Sequence, residues 1–140
     1  MSAEPGPERP LPPESPAGAP FWAASRDRRL VLPWCRACEA PHWYPRGFCP
    51  RCLGEDLEWR PSPGAGEVHA VSVQPQAAHP GLAGRAPYAV ALVALDEGVR
   101  MLLQVHGPTD PWAVAVGDRV VVGWEPLPDG RHLPTAEPAA

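Results

Sequence analysis

The sequence predicts a mainly β chain in which a short helix and a cysteine-knuckle ribbon precede a small five-stranded barrel. Three observations predict it. Two C-x2-C pairs, Cys35-Arg36-Ala37-Cys38 and Cys49-Pro50-Arg51-Cys52, lie ten residues apart. The run Pro61-Ser62-Pro63-Gly64-Ala65-Gly66 punctuates the chain as a linker. Beyond it, five short apolar stretches alternate with turn signals, which is the pattern of a small barrel.

The elements follow in order. Of 140 residues, 22 are proline, and seven of these fall in the first twenty positions. Proline removes amide donors and fixes φ, and no hydrophobic period runs through this stretch. Residues 1–19 are therefore expected to be a disordered, proline-rich arm. Pro20 followed by Phe21, Trp22, Ala23 and Ala24 suggests a short helix reaching about Arg29. Phe21 and Trp22 either staple that helix to its own domain or anchor another chain, and the residues alone favour the first. Leu30 to Trp34 is an apolar run entering Cys35, Trp43-Tyr44-Pro45 is expected as the rising arm of a hairpin, and Leu57-Glu58-Trp59 as a strand leaving it. Helix and ribbon together are assigned residues 20–60, and the barrel domain residues 61–140.

In the barrel, Glu67 to Val73 alternates imperfectly. Tyr88 to Leu95 is a continuous apolar run, expected to be buried on both faces. Asp96-Glu97-Gly98 turns the chain into the return strand Val99 to Val105. Asp110 to Ala113 suggests one helical turn, Arg119 to Trp124 a strand, Pro128-Asp129-Gly130 a turn, and His132 to Thr135 the last strand. Five strands in this length fit an OB-fold. Periodicity does not separate that fold from an SH3-like barrel.

Two C-x2-C turns aim four thiolates at one point, a tetrahedral set suited to structural zinc. All four cysteines, Cys35, Cys38, Cys49 and Cys52, are used. Tetrathiolate iron is the alternative. Disulfides are disfavoured because nothing suggests secretion. A hairpin this small lacks a core, so the metal supplies its folding free energy. His42 lies between the pairs and is read as an exposed or packing residue. Knuckle turns often carry glycine after the second cysteine, but here Glu39 and Leu53 stand there.

Composition excludes several classes. The longest apolar run, Tyr88 to Leu95, is far too short to span a bilayer. Met1-Ser-Ala-Glu-Pro has neither a basic start nor an apolar core, so a cytoplasmic protein is expected. No lysine is present and no cysteine is spare. The serines carry no catalytic motif and the five histidines are scattered, so an enzyme acting alone is not expected. Ribbon plus barrel raises single-stranded nucleic acid as a target. Charge opposes it: residues 61–140 hold four arginines against eight acids, a net of −4. Residues 26–60 hold seven arginines against five acids, a net of +2. Arg36, Arg46 and Arg51, around the knuckles, suit a compact anion better than a polymer.

The order of parts resembles the zinc-ribbon and OB-fold acyl-CoA-associated family. The matching stretches are Phe21-Trp22, Leu30 before Cys35-x2-Cys38, Tyr44-Pro45-Arg46 before Cys49-Pro50-x-Cys52, and Asp56 to Trp59. Gly64-x-Gly66-Glu67-Val68, Pro87 to Val93, Leu95 to Arg100, Gly117 to Val120 and Leu133-Pro134 complete it, so the match covers about residues 20–136. The resemblance implies a rubredoxin-like zinc ribbon followed by an OB-fold, in a non-catalytic accessory subunit of a thiolase-fold enzyme (thiolase, retro-aldolase or condensing enzyme). Some members occur beside or fused to hot-dog-fold hydratases. It implies that the helix and ribbon dock on the partner and that the module helps shape an acyl-CoA channel. On that basis the four cysteines hold zinc, and Phe21 and Trp22 match the docking helix. Arg46, with Arg36 and Arg51, is the candidate for CoA phosphate or the interface. A single-stranded nucleic-acid module is the alternative.

Overall fold

The computed structural model describes residues 9–107 and 110–139. Helix α1 spans Ala19–Ser25. It is shorter than expected. The Ser25 hydroxyl donates to the Trp22 carbonyl at 2.6 Å, and Arg28 takes φ +56°, a left-handed turn that ends the helix. Residues 9–18, assigned by composition to a disordered arm, are placed against the body. Pro16–Gly18 form a 3-10 turn capped by Ser15, whose Oγ accepts the Gly18 amide at 3.2 Å. Arg9 pairs with Glu125 at 2.7 Å. The composition argument weighed missing amide donors and left out ion pairs and apolar proline rings. The rest of the expected arm, residues 1–8, lies outside the described residues.

Strands β1 (Val31–Cys35), β2 (Ala40–Pro41) and β3 (Leu57–Pro61) form the ribbon sheet, with β1 central and antiparallel to both neighbours. Cys35 faces Ala40 on one side and Leu57 on the other. The returning arm is therefore Ala40–Pro41, not Trp43-Tyr44-Pro45, which lies outside the strands.

Strands β4 (Ala65–Gln74), β5 (Tyr88–Leu95), β6 (Arg100–Gln104), β7 (Arg119–Pro126) and β8 (His132–Pro138) form the second sheet, ordered β6-β5-β4-β7-β8. A parallel bridge from Val105 to Ala136 brings its two edges together. That near-closure of five strands is an OB-fold barrel. Strand β4 carries a bulge between Val68 and Ala70, which lets one long strand bend around the barrel. Strand β5 is not buried on both faces. Ala89, Ala91, Val93 and Leu95 fill the interior, while Tyr88, Val90, Leu92 and Ala94 are half-buried outside.

The 61–66 segment is pinned rather than free. Pro61 ends β3, Ala65 opens β4, and between them the Ser62 amide donates to Leu30 O. Gly66 sits where β4 crosses β5 closely: a Cβ there would lie 2.4 Å from the Ala94 carbonyl oxygen. Phe21, Leu30 and Leu32 belong to the same buried cluster as Val68, Val93, Met101 and Leu103. Helix, ribbon and barrel thus share one core.

Candidate metal centre and docking face

Strand β1 delivers Cys35 as its last residue, and the turn after it brings Cys38 back beside it. The second knuckle, Cys49 to Gly54, is closed by the Cys49 amide on Gly54 O and the Leu53 amide on Cys49 O, each at 2.8 Å. All four sulfurs lie within 4.8 Å of one another. Cys35 and Cys52 are 3.7 Å apart, and Cys38 and Cys49 are 3.9 Å apart. A zinc tetrahedron with bonds of about 2.3 Å has edges of about 3.8 Å, so the set fits the ion. These separations are nearly twice the disulfide length of about 2.05 Å, and all four thiols are free. The backbone amides of Cys38, Arg51 and Gly54 each lie 3.4 Å from a cysteine sulfur, placed to stabilise thiolate charge. With four protein sulfurs as ligands no coordination position is left for a substrate. The ion contributes folding free energy.

Both positions noted as irregular in the sequence are left-handed. Glu39 has φ +52° and Leu53 has φ +64°. An L-residue there costs about 1–2 kcal/mol relative to the right-handed form. Leu53 is also 70 % exposed, so the chain's own core does not offset that cost.

The metal-free thiols differ. Cys38 is pushed up, chiefly by its hydrogen bond with Cys52, while Cys49 is pulled down to about 7, chiefly by the Cys52 amide. Zinc needs all four as thiolates, so binding expels protons and apparent affinity falls as pH is lowered. Calorimetry in buffers of different ionisation enthalpy is expected to show net proton release near pH 7. A buffer-independent heat would contradict it.

The other predicted residues separate. Phe21 is 3 % exposed and packs edge-on against Trp22 and Trp43, with ring centroids 5.0 Å away in each case. This corrects the docking role given to Phe21: its ring is spent on the chain's own core. Trp22 is half-buried beneath the Arg131 guanidinium, 4.7 Å from its ring. Arg36 is bound to Asp56 at 2.8 Å and to Glu58 at 3.2 Å. Those acids, Asp56 first, raise its pKa further, so it is not a free phosphate ligand. Arg46 and Arg51 are exposed and, among the described residues, make no ion pair. His42 is buried and lies outside the sulfur cluster. Burial first, then the nearby Arg46 charge, lowers its pKa and keeps it neutral. Sequence reasoning missed three exposed apolar side chains on the ribbon. Tyr44 (57 %), Phe48 (42 %) and Leu53 (70 %) are exposed there. The signal was present in part: a leucine where a knuckle prefers glycine.

Two family models cover most of the chain. The ChsH2 rubredoxin-like zinc ribbon domain matches residues 22–58, and the ChsH2 C-terminal OB-fold domain matches residues 59–125. A solved chain described as "Ltp2-ChsH2(DUF35) aldolase" superposes with a TM-score of 0.83 at 32 % identity, over 93 % of this chain and 100 % of that one. The chain belongs to the ChsH2 family. A DUF35-family protein from Sulfolobus solfataricus shares the fold, with a TM-score of 0.61 at 16 % identity over 89 % of this chain and 85 % of that one. A curated relative from Thermomonospora curvata named "Probable enoyl-CoA hydratase alpha subunit" is 35 % identical over 120 residues. The match takes in 85 % of this chain but 37 % of that protein, so this chain spans little more than a third of the relative's length. The ChsH2 zinc ribbon match spans Cys35, Cys38, Cys49 and Cys52, whose sulfurs lie close enough together to bind a structural zinc ion. Among the described residues, no helix is long and apolar enough to cross a membrane.

Proposed function

We propose that this chain is a non-catalytic accessory subunit that docks on a thiolase-fold enzyme and helps shape its acyl-CoA site. One observation carries the reading: 32 % identity across the whole of a chain described as part of an Ltp2–ChsH2 aldolase. The hydratase name of the Thermomonospora relative supports the acyl-CoA class. The length that relative has beyond the match leaves room for a hydratase portion in that protein. A zinc site closed by four sulfurs supports a structural role for the metal.

The ribbon is the docking element in this reading. Tyr44, Phe48 and Leu53 offer apolar side chains that the chain's own core does not use, and the exposed edge of Trp22 adds to them. Buried aromatic anchors dominate interface energies. Arg46 and Arg51 are exposed on the same ribbon and are suited to CoA phosphates. Nucleic acid is the weaker alternative, because the barrel's net charge of −4 repels a phosphate backbone.

The isolated chain is expected to turn over no acyl-CoA thioester and to bind single-stranded oligonucleotide no better than an acidic control protein at low salt. Turnover by the chain alone would remove the non-catalytic reading. Tight, salt-sensitive oligonucleotide binding would replace it with the alternative.

A further inference from the structure

We infer that residues 9–15 are a releasable strap that closes an aromatic groove between α1, the ribbon and the barrel, latched at each end by an ion pair. The groove holds about 410 Å³. Trp22, Trp43 and Tyr44 wall one part of it, and Leu103 and Leu133 another. Pro12, Pro13 and Ser15 are the strap's own share of the lining. Aromatic-lined grooves are the usual receptors for extended proline-bearing segments. Here the segment belongs to the same chain.

Two ion pairs form the latches. At one end Arg9 donates to Glu125 at 2.7 Å, with side chains only 24 % and 13 % exposed. Glu125 is bound by Arg85 as well, so it stays paired when Arg9 leaves. At the other end Arg131, 5 % exposed, lies over Trp22 and donates from Nε to Asp129 at 2.6 Å. Its Nη1 has no hydrogen-bond partner among the described residues and faces Glu14 of the strap at 3.8 Å. A buried guanidinium with one arm left over is a standing attraction for the strap's carboxylate.

The backbone explains why such a strap comes off. Among the described residues, none of the backbone hydrogen bonds outside helices and strands involves residues 9–14. Pro10, Pro12 and Pro13 have no amide to donate. Release breaks two ion contacts and uncovers ring faces, but it breaks no ladder. The strap therefore governs access to the half-buried Trp22 and Trp43 without unfolding the barrel.

The test uses the full zinc-loaded chain carrying Arg9→Gln and Glu14→Gln, with the indole N–H resonances of its tryptophans as reporters. The Trp22 and Trp43 signals are expected to move while that of Trp112, 65 % exposed in the 3-10 turn Pro111–Ala113 and outside the groove lining, stays in place. A synthetic peptide of residues 9–16 (RPLPPESP), added in excess, is expected to return both signals toward their wild-type positions. Loss of fold is not repaired by an eight-residue peptide, so the return separates release from damage. Unmoved Trp22 and Trp43 signals, or a shift that the peptide does not reverse, would overturn the strap.

Discussion

Replacing Cys38 with serine is expected to abolish stoichiometric zinc binding and to unfold the ribbon. Structural zinc contributes about 10–16 kcal/mol of apparent binding free energy in small zinc domains, and most of that is folding free energy. Losing one of four thiolates removes the closed tetrahedron. The damage does not stop at the ribbon. Strand β1 carries Leu32, which is fully buried in the core it shares with Val93 and Met101 of the barrel, and α1 adds Phe21 to the same cluster. A ribbon that comes loose exposes that shared core to water. Total stability of a domain this size is about 5–15 kcal/mol, so the variant is expected to melt far below wild type, without a sharp transition. Metal content by atomic emission and a thermal melt check it. One zinc per chain with an unchanged melting temperature would show that the four sulfurs are not the metal site.

The second large effect is on association. Leu53→Gly relieves a left-handed leucine whose side chain is 70 % exposed. The fold is expected to keep its zinc and to lose no stability, since relief of about 1–2 kcal/mol outweighs the entropy glycine adds to the unfolded chain. Partner binding should respond in the opposite sense. Combined with Phe48→Ser, the change removes two apolar anchors from the ribbon, and affinity for the partner enzyme is expected to fall about 100-fold or more. Stability that holds while affinity collapses is the signature of residues kept for an interface. Undiminished binding by a folded double variant would move the docking face elsewhere.

The features legible in the sequence were local ones. Ligand spacing in a C-x2-C pair is fixed within four residues, so the metal set needed no tertiary knowledge. The barrel strands announced themselves by β-rich runs bounded by glycine and proline turns. What failed depended on neighbours distant in sequence. The two-residue strand Ala40–Pro41 exists because β1 is there to pair with it, and no period marks it. Arg36 read as a free cation because Asp56 and Glu58 stand twenty and more positions away. Phe21 and Trp22 are adjacent and chemically alike, yet one faces the core and the other lies half-open under Arg131. The proline arm read as disposable because composition counts missing donors, whereas Arg9 and Glu14 find their partners across the fold.

The central claim concerns association, and one measurement meets it directly. The chain is co-expressed with a candidate thiolase-fold partner enzyme, and the mixture is sized by light scattering while the enzyme's turnover of acyl-CoA is followed with and without the chain. The account predicts a stoichiometric complex that survives chromatography, with enzyme that is unstable or poorly active alone and restored by the zinc-loaded chain. An enzyme that stays separate, stable and fully active without the chain would contradict it.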